Sequence, residues 1–117
     1  PAIGAVLHTH SVNATVLSRL VRGDRLVLQD YELQKAFAGV TTHEGQVEVP
    51  IFDNDQDIAR LASRVQPWLE AHPHCPGYLI RGHGLYTWGA RMSDALRQVE
   101  AFEFLFECEL KVLSLSR

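Results

Sequence analysis

Tyr78-Leu79-Ile80-Arg81-Gly82-His83-Gly84-Leu85-Tyr86-Thr87-Trp88 is the stretch that decides the fold of this 117-residue chain. Two short apolar pieces, Tyr78 to Ile80 and Leu85 to Trp88, flank a four-residue break containing two glycines, the pattern of a β-hairpin. Hairpin strands pair antiparallel, so the sheet to which they belong is not purely parallel. Gly82 and Gly84 let the backbone turn sharply around His83 and present its ring without a neighbouring Cβ in the way.

Working outward, strand-like and helix-like segments alternate. Ile3 to Leu7 is apolar without polar alternation, as for a strand buried on both faces. Ser11 can cap a helix through about Val21, with Val12, Thr15, Val16 and Leu20 in helical register, and Gly23-Asp24 breaks it. Leu26 to Leu28 reads as a brief strand. Asp30 can cap a helix from Tyr31 to Ala38 that Gly39 ends. Gln46 to Phe52 alternates and carries β-branched residues, while Pro50 points to an edge or a strand end. Asp53-Asn54-Asp55 starts an amphipathic helix to about Ala71, with Ile58, Leu61, Ala62, Val65 and Leu69 as its apolar positions, and Pro67 should kink or shorten it. After a turn-like segment from His72 to Gly77 and the hairpin, Ser93 opens the last helix, whose stripe is Val99, Phe102, Phe106, Leu110 and Leu113. The expected fold class is α/β, a single domain over 1–117 with a mixed β-sheet covered by helices.

Composition narrows the function. With 46% hydrophobic residues the chain can bury a real core. A formal charge of -3 argues against a general nucleic-acid binder and leaves room for a small anion held locally. No apolar run reaches the roughly 20 residues of a membrane span, and no charged segment followed by an apolar one opens the chain. Cys75 and Cys108 stand apart and form neither a CxxC pair nor a disulfide framework, which fits a reducing cytosol. Pro1-Ala2-Ile3-Gly4 leads into an apolar strand without an initiator Met, so the chain is expected to be the later part of a longer polypeptide.

His8-Thr9-His10 is the chemical signal. Strand residues two apart project from one face with Cα atoms about 6 to 7 Å apart, and their rings can converge on one ion. His83, from the remote hairpin turn, would complete a three-histidine set of the kind that holds a catalytic zinc with an open position. Taken alone, the pair reads equally well as solvated histidines at a strand end, and His83 alone reads better as an incidental polar tip; together they favour a shared metal. Such an ion can polarise a ketone, but proton transfer needs a further group. Glu32 is a candidate, although its position alone fits an exposed helix acid better. His43, His72 and His74 read as structural or solvated, and Glu100, Glu103, Glu107 and Glu109 as the solvated side of the last helix. Tyr86 and Trp88 read as core or interface residues.

Three segments, Ala5 to Ser18, Leu28 to Lys35 and Tyr78 to Gly89 running into the Glu-rich last helix, resemble the class II aldolase/adducin superfamily. Within it they look most like the dehydratase branch, zinc lyases of methionine salvage that remove water from 5-methylthioribulose 1-phosphate to give 2,3-diketo-5-methylthiopentyl 1-phosphate. The resemblance implies a class II aldolase/adducin-like layered fold lacking its N-terminal part, including the segment that holds the substrate phosphate. It makes His8, His10 and His83 the ligands of one Zn2+ per subunit and Glu32 the catalytic acid/base. The superfamily's aldolases place their catalytic carboxylate upstream of the His-x-His strand and the dehydratases downstream, where Glu32 falls. A general acid at Glu32 should have a raised pKa. The resemblance further implies a cytoplasmic homo-oligomer, a tetramer with active sites at subunit boundaries, a small phosphorylated sugar as substrate, and no nucleic-acid or membrane partner. A sugar-phosphate aldolase and a non-catalytic adducin-like interaction domain are the alternatives.

Overall fold

The structure is a computed structural model that describes residues 3–116; Pro1 and Ala2, the start of the lead-in, lie outside them. Ala5–Thr9 (β1), Arg25–Gln29 (β2), Gln46–Phe52 (β3), Gly77–Ile80 (β4) and Gly84–Gly89 (β5) form one sheet in the order β1-β5-β4-β3-β2. The β4–β5 hairpin is antiparallel, as are the β1–β5 and β2–β3 pairs, while β3 and β4 run parallel. The hairpin rules out a purely parallel sheet, and the parallel β3–β4 pair makes it mixed, as expected. Both cysteines are free thiols.

β1 departs from the expectation of a strand buried on both faces. Among the described residues it is an edge strand pairing only with β5, and Val6, on its open face, is 59% exposed. Pro50, by contrast, sits in an interior strand. It lies opposite Arg25, and the parallel ladder to β4 begins one residue later at Ile51. Its missing N–H therefore falls where that ladder has not yet started.

Helix α1 spans Val12–Leu20, and Ser11 Oγ accepts the Ala14 N–H at 3.1 Å as its N-cap. Its buried residues are Ala14, Leu17 and Ser18, and the row Val12, Val16 and Leu20 is exposed. Both rows have helical spacing, and the one with the small residues Ala14 and Ser18 packs inward. Asp30 is not a helix cap; it takes a positive φ of 67°. A 3-10 helix over Glu32–Ala36 follows in place of the longer helix expected. Buried Gln34 accepts the Tyr31 N–H through Oε1 and donates to Gly45 O through Nε2, which closes the segment within one short turn.

Helix α2 covers Ile58–Ala71, starting later than expected because Asp57 is the cap and accepts the Arg60 N–H. Pro67 stands inside it and does not shorten it. Only Leu61 and Val65 are buried on α2, and Ile58 is exposed. Helix α3, Met92–Leu115, begins one residue before Ser93 and buries Phe102, Leu105 and Phe106 completely. Leu113, the far end of the expected stripe, is partly exposed.

The two sheet faces are unequally covered. Leu17, Phe102, Leu105 and Phe106 of α1 and α3 build the main core with Leu28, Val49, Leu79 and Leu85. On the other face Leu61 and Val65 of α2 cover only Ile80 and its neighbours Phe52, Tyr78 and Tyr86. His8 stands opposite Tyr86 on that thinner face.

Candidate metal centre

His8 is oriented from two sides. Its ring stacks on Tyr86, centroids 3.9 Å apart and 18° between planes, and Nδ1 lies 2.8 Å from Leu85 O. A carbonyl only accepts, so Nδ1 carries the proton and Nε2 is left for a ligand bond. His10 follows β1 directly and precedes the cap of α1.

Two glycines bring His83 to this place. His83 N–H donates to Ile80 O at 2.9 Å, closing a four-residue turn. Gly82 has φ +70° at its third position, the signature of a type II turn that favours glycine there. At Gly84 the demand is steric: a Cβ would stand 2.1 Å from Thr9 O and 3.3 Å from the His10 Cα. The start of β5 thus runs hard against the end of β1, and the two histidine-bearing segments meet.

His8, His10 and His83 converge. Ring centroids are 4.5 Å apart for His8 and His10, 5.0 Å for His8 and His83, and 4.8 Å for His10 and His83. One potential ligand nitrogen from each lies within 4.8 Å of the others. Nδ1 of His83 is buried and has no hydrogen-bond partner among the described residues, a state that is costly unless a ligand completes it. Burial, then the neighbouring His8 and His10, lowers the His83 pKa, so its ring is held in the neutral form that coordinates metal. Three converging imidazoles, one of them with a buried unpartnered nitrogen, fit a zinc-like divalent ion.

Glu32 is not among the converging groups. It lies on the 3-10 turn with its side chain 73% exposed, paired to Lys35 and, at 3.7 Å, to His43 Nδ1. The hydrogen bond and charge of Lys35 hold its carboxyl below the usual range, opposite to the elevation expected of a general acid. The cause is plain: a solvated carboxylate beside an ammonium gains nothing from a proton. Glu32 lines a cavity of about 500 Å3 with Lys35, Arg97 and Glu100.

The other expectations divide. His72 Nδ1 donates to Trp68 O at 2.8 Å and its ring stacks on Trp68, a structural role. The glutamates of α3 are more than a solvated side, since Glu103 accepts from Ser11 Oγ and Glu109 from the Tyr31 hydroxyl, each at 2.7 Å. Tyr86, which reads as core or interface, is the wall behind His8. The pairing register carries that signal, because a hairpin tyrosine opposite the first histidine must share its face. Tyr86 also borders an apolar groove of about 550 Å3 beneath α2.

The sequence profile of the Class II Aldolase and Adducin N-terminal domain matches residues 1–110. The chain is 99% identical over 117 residues to the methylthioribulose-1-phosphate dehydratase of Pseudomonas aeruginosa strain LESB58, covering 100% of this chain and 57% of that protein. To the protein of the same name from Pseudomonas syringae pv. tomato it is 83% identical over 112 residues, 96% of this chain and 55% of the relative. It thus spans little more than half the length of these relatives. Among solved structures, an L-fuculose 1-phosphate aldolase superposes at TM-score 0.67 and 21% identity over 100% of this chain and 49% of its own. The L-fuculose-1-phosphate aldolase of Thermus thermophilus does so at TM-score 0.63 and 23% identity over 90% and 51%. At these identities the likeness is one of fold.

Proposed function

The chain belongs to the class II aldolase and adducin family, and from that premise we propose that it carries the metal centre of a zinc-dependent lyase of methionine salvage. The reaction is dehydration of 5-methylthioribulose 1-phosphate to 2,3-diketo-5-methylthiopentyl 1-phosphate. The observation that carries the proposal is the convergence of His8, His10 and His83, the last with a buried unpartnered nitrogen; the shared name of relatives 99% and 83% identical supports the substrate.

When bound, zinc supplies Lewis acidity to the carbonyl and neighbouring hydroxyl oxygens of the sugar chain, which acidifies the carbon between them. This chain's residues do the rest. Leu85 O and the Tyr86 ring hold His8 in one tautomer and orientation. Glu32 is the group assigned to protonate the departing hydroxyl, which leaves as water; in the net balance the proton given up by the acidified carbon replaces the one that Glu32 donates. As it stands Glu32 is ionised beside Lys35, so it must be desolvated or lose that partner to hold a proton near neutrality. A homotetramer with active sites at subunit boundaries meets this need, because burying the exposed Glu32 there raises its pKa. We place the enzyme in the cytoplasm; no helix of the described residues is long and apolar enough to cross a membrane.

The test is to supply the complete protein with 5-methylthioribulose 1-phosphate and identify the product. The diketone is expected; cleavage to two shorter carbonyl compounds would identify a sugar-phosphate aldolase, and absence of both reaction and metal an adducin-like interaction domain. Glu32→Gln should leave zinc content unchanged and lower the dehydration rate about 10²- to 10⁴-fold. A Gln variant of full activity returns Glu32 to a surface ion pair.

A further inference from the structure

His83 is delivered by a turn, yet most of the hydrogen bonds fixing that turn come from the end of α1 and the residues just after it. The C-terminus of α1 leaves carbonyls without intrahelical partners. Arg81 collects them, with the Gly23 carbonyl beyond the helix: Nη1 donates to Ser18 O at 2.7 Å and to the C-cap Val21 O at 3.0 Å, and Nη2 to Gly23 O at 2.6 Å. Nε donates to Asp53 Oδ1 at 3.0 Å, and the backbone N–H of Arg81 donates to Phe52 O at 2.8 Å. The next residue is held by the same helix. Gly82 N–H donates to Ser18 Oγ at 2.9 Å, and that fully buried hydroxyl donates to Thr15 O at 2.8 Å.

The other end of α1 begins at Ser11, directly after His10. The helix is therefore a strut, with a metal-ligand histidine at its N-terminal end and the turn of another pinned to its C-terminal end. The planar guanidinium fork is what lets one side chain reach three carbonyls and a carboxylate together, which a lysine ammonium on its flexible stem does not reproduce.

We propose that Arg81 and Ser18 are positioning residues that set the metal affinity of the site by locking the His83 turn onto α1. The inference rests on the metal reading of His8, His10 and His83. Neither residue ligates the ion; both fix where the third imidazole stands, the kind of outer contact whose removal costs about 10- to 100-fold in metal affinity.

The test measures zinc affinity of the complete protein by competition with a chromophoric chelator, alongside the denaturant midpoint of the metal-free form. Ser18→Ala and Arg81→Lys are compared with Val47→Ala, a buried change on β3 away from the turn. Both latch variants should weaken zinc about 10- to 100-fold, while Val47→Ala loses stability and keeps its zinc affinity within about twofold. If Arg81→Lys does not fold, Ser18→Ala, which removes one oxygen, still decides the matter. Zinc affinity of the latch variants within about twofold of the parent overturns the proposal, as does an equal weakening in Val47→Ala. A parent protein that takes up no zinc overturns the metal reading itself, and the latch with it.

Discussion

The turn bearing His83 and the 3-10 segment bearing Glu32 each present one candidate functional side chain, and they hold it in opposite ways. The His83 turn is fixed by backbone bonds, by two glycines whose conformation and close approach nothing else fits, and by the fork of Arg81. Glu32 is held by Lys35 and His43 at the surface, pairs of a kind that contribute little in water. The difference teaches that the three candidate ligand histidines are preorganised within this chain, whereas the proposed acid/base is not: on the proposed reading, metal binding and turnover are separable properties, and only the second waits on burial of Glu32.

Four substitutions break or sharpen this contrast. The largest effect is expected from His83→Ala, which removes the proposed ligand on the turn: zinc content, read by elemental analysis, should fall from about one ion per chain to near zero. Glu32→Gln should leave that number untouched, and a loss of zinc there would erase the contrast. Gly84→Ala comes next. Its methyl meets Thr9 O, so the β1–β5 contact must open, costing about 1–3 kcal/mol in a denaturant titration and loosening zinc along with stability. The smallest effect belongs to Asp55→Asn, in an ion-pair cluster with Arg60 and Arg64 that makes no direct contact with either segment. Arg60 and the Asp57 N–H hold the Asp55 carboxyl well below its usual 3.8. A depressed carboxylate pKa means that its contribution is complete above about pH 4 and is lost as the pH falls towards the folded value. Midpoints of the two proteins should therefore differ slightly at neutral pH and draw together in acid, with zinc affinity unchanged.

How much of this was legible in the sequence depended on whether a local rule met a competitor. The hairpin was legible because two glycines around one histidine leave few other geometries, and the three-histidine set because strand alternation puts His8 and His10 on one face. The inward face of α1 was not. Val12, Val16 and Leu20 are the more apolar row, but a close approach selects small residues, and Ala14 and Ser18 lie on the other one. Asp30 looks like a cap and is a positive-φ turn residue, because Gln34, a buried side chain further along, closes the segment instead. Glu32 is only a weak candidate by position, the resemblance is what favours it, and its pairing with Lys35 opposes the proposed role until those surroundings change. Arg81 carried no signal by residue type; its importance arises from carbonyls 58 to 63 residues earlier, contacts that no window along the chain contains.

The parallel junction between β3 and β4 pairs only Ile51 with Leu79 and Phe52 with Ile80. It is a seam two residues long, joining an antiparallel ribbon of β2 and β3 to an antiparallel block of β4, β5 and β1. All three histidines ride on the block side. The sheet's shortest run of strand pairing thus lies beside the three converging rings, and Arg81, bonded to Phe52 O and Asp53 across it, couples the ribbon to the turn that carries His83.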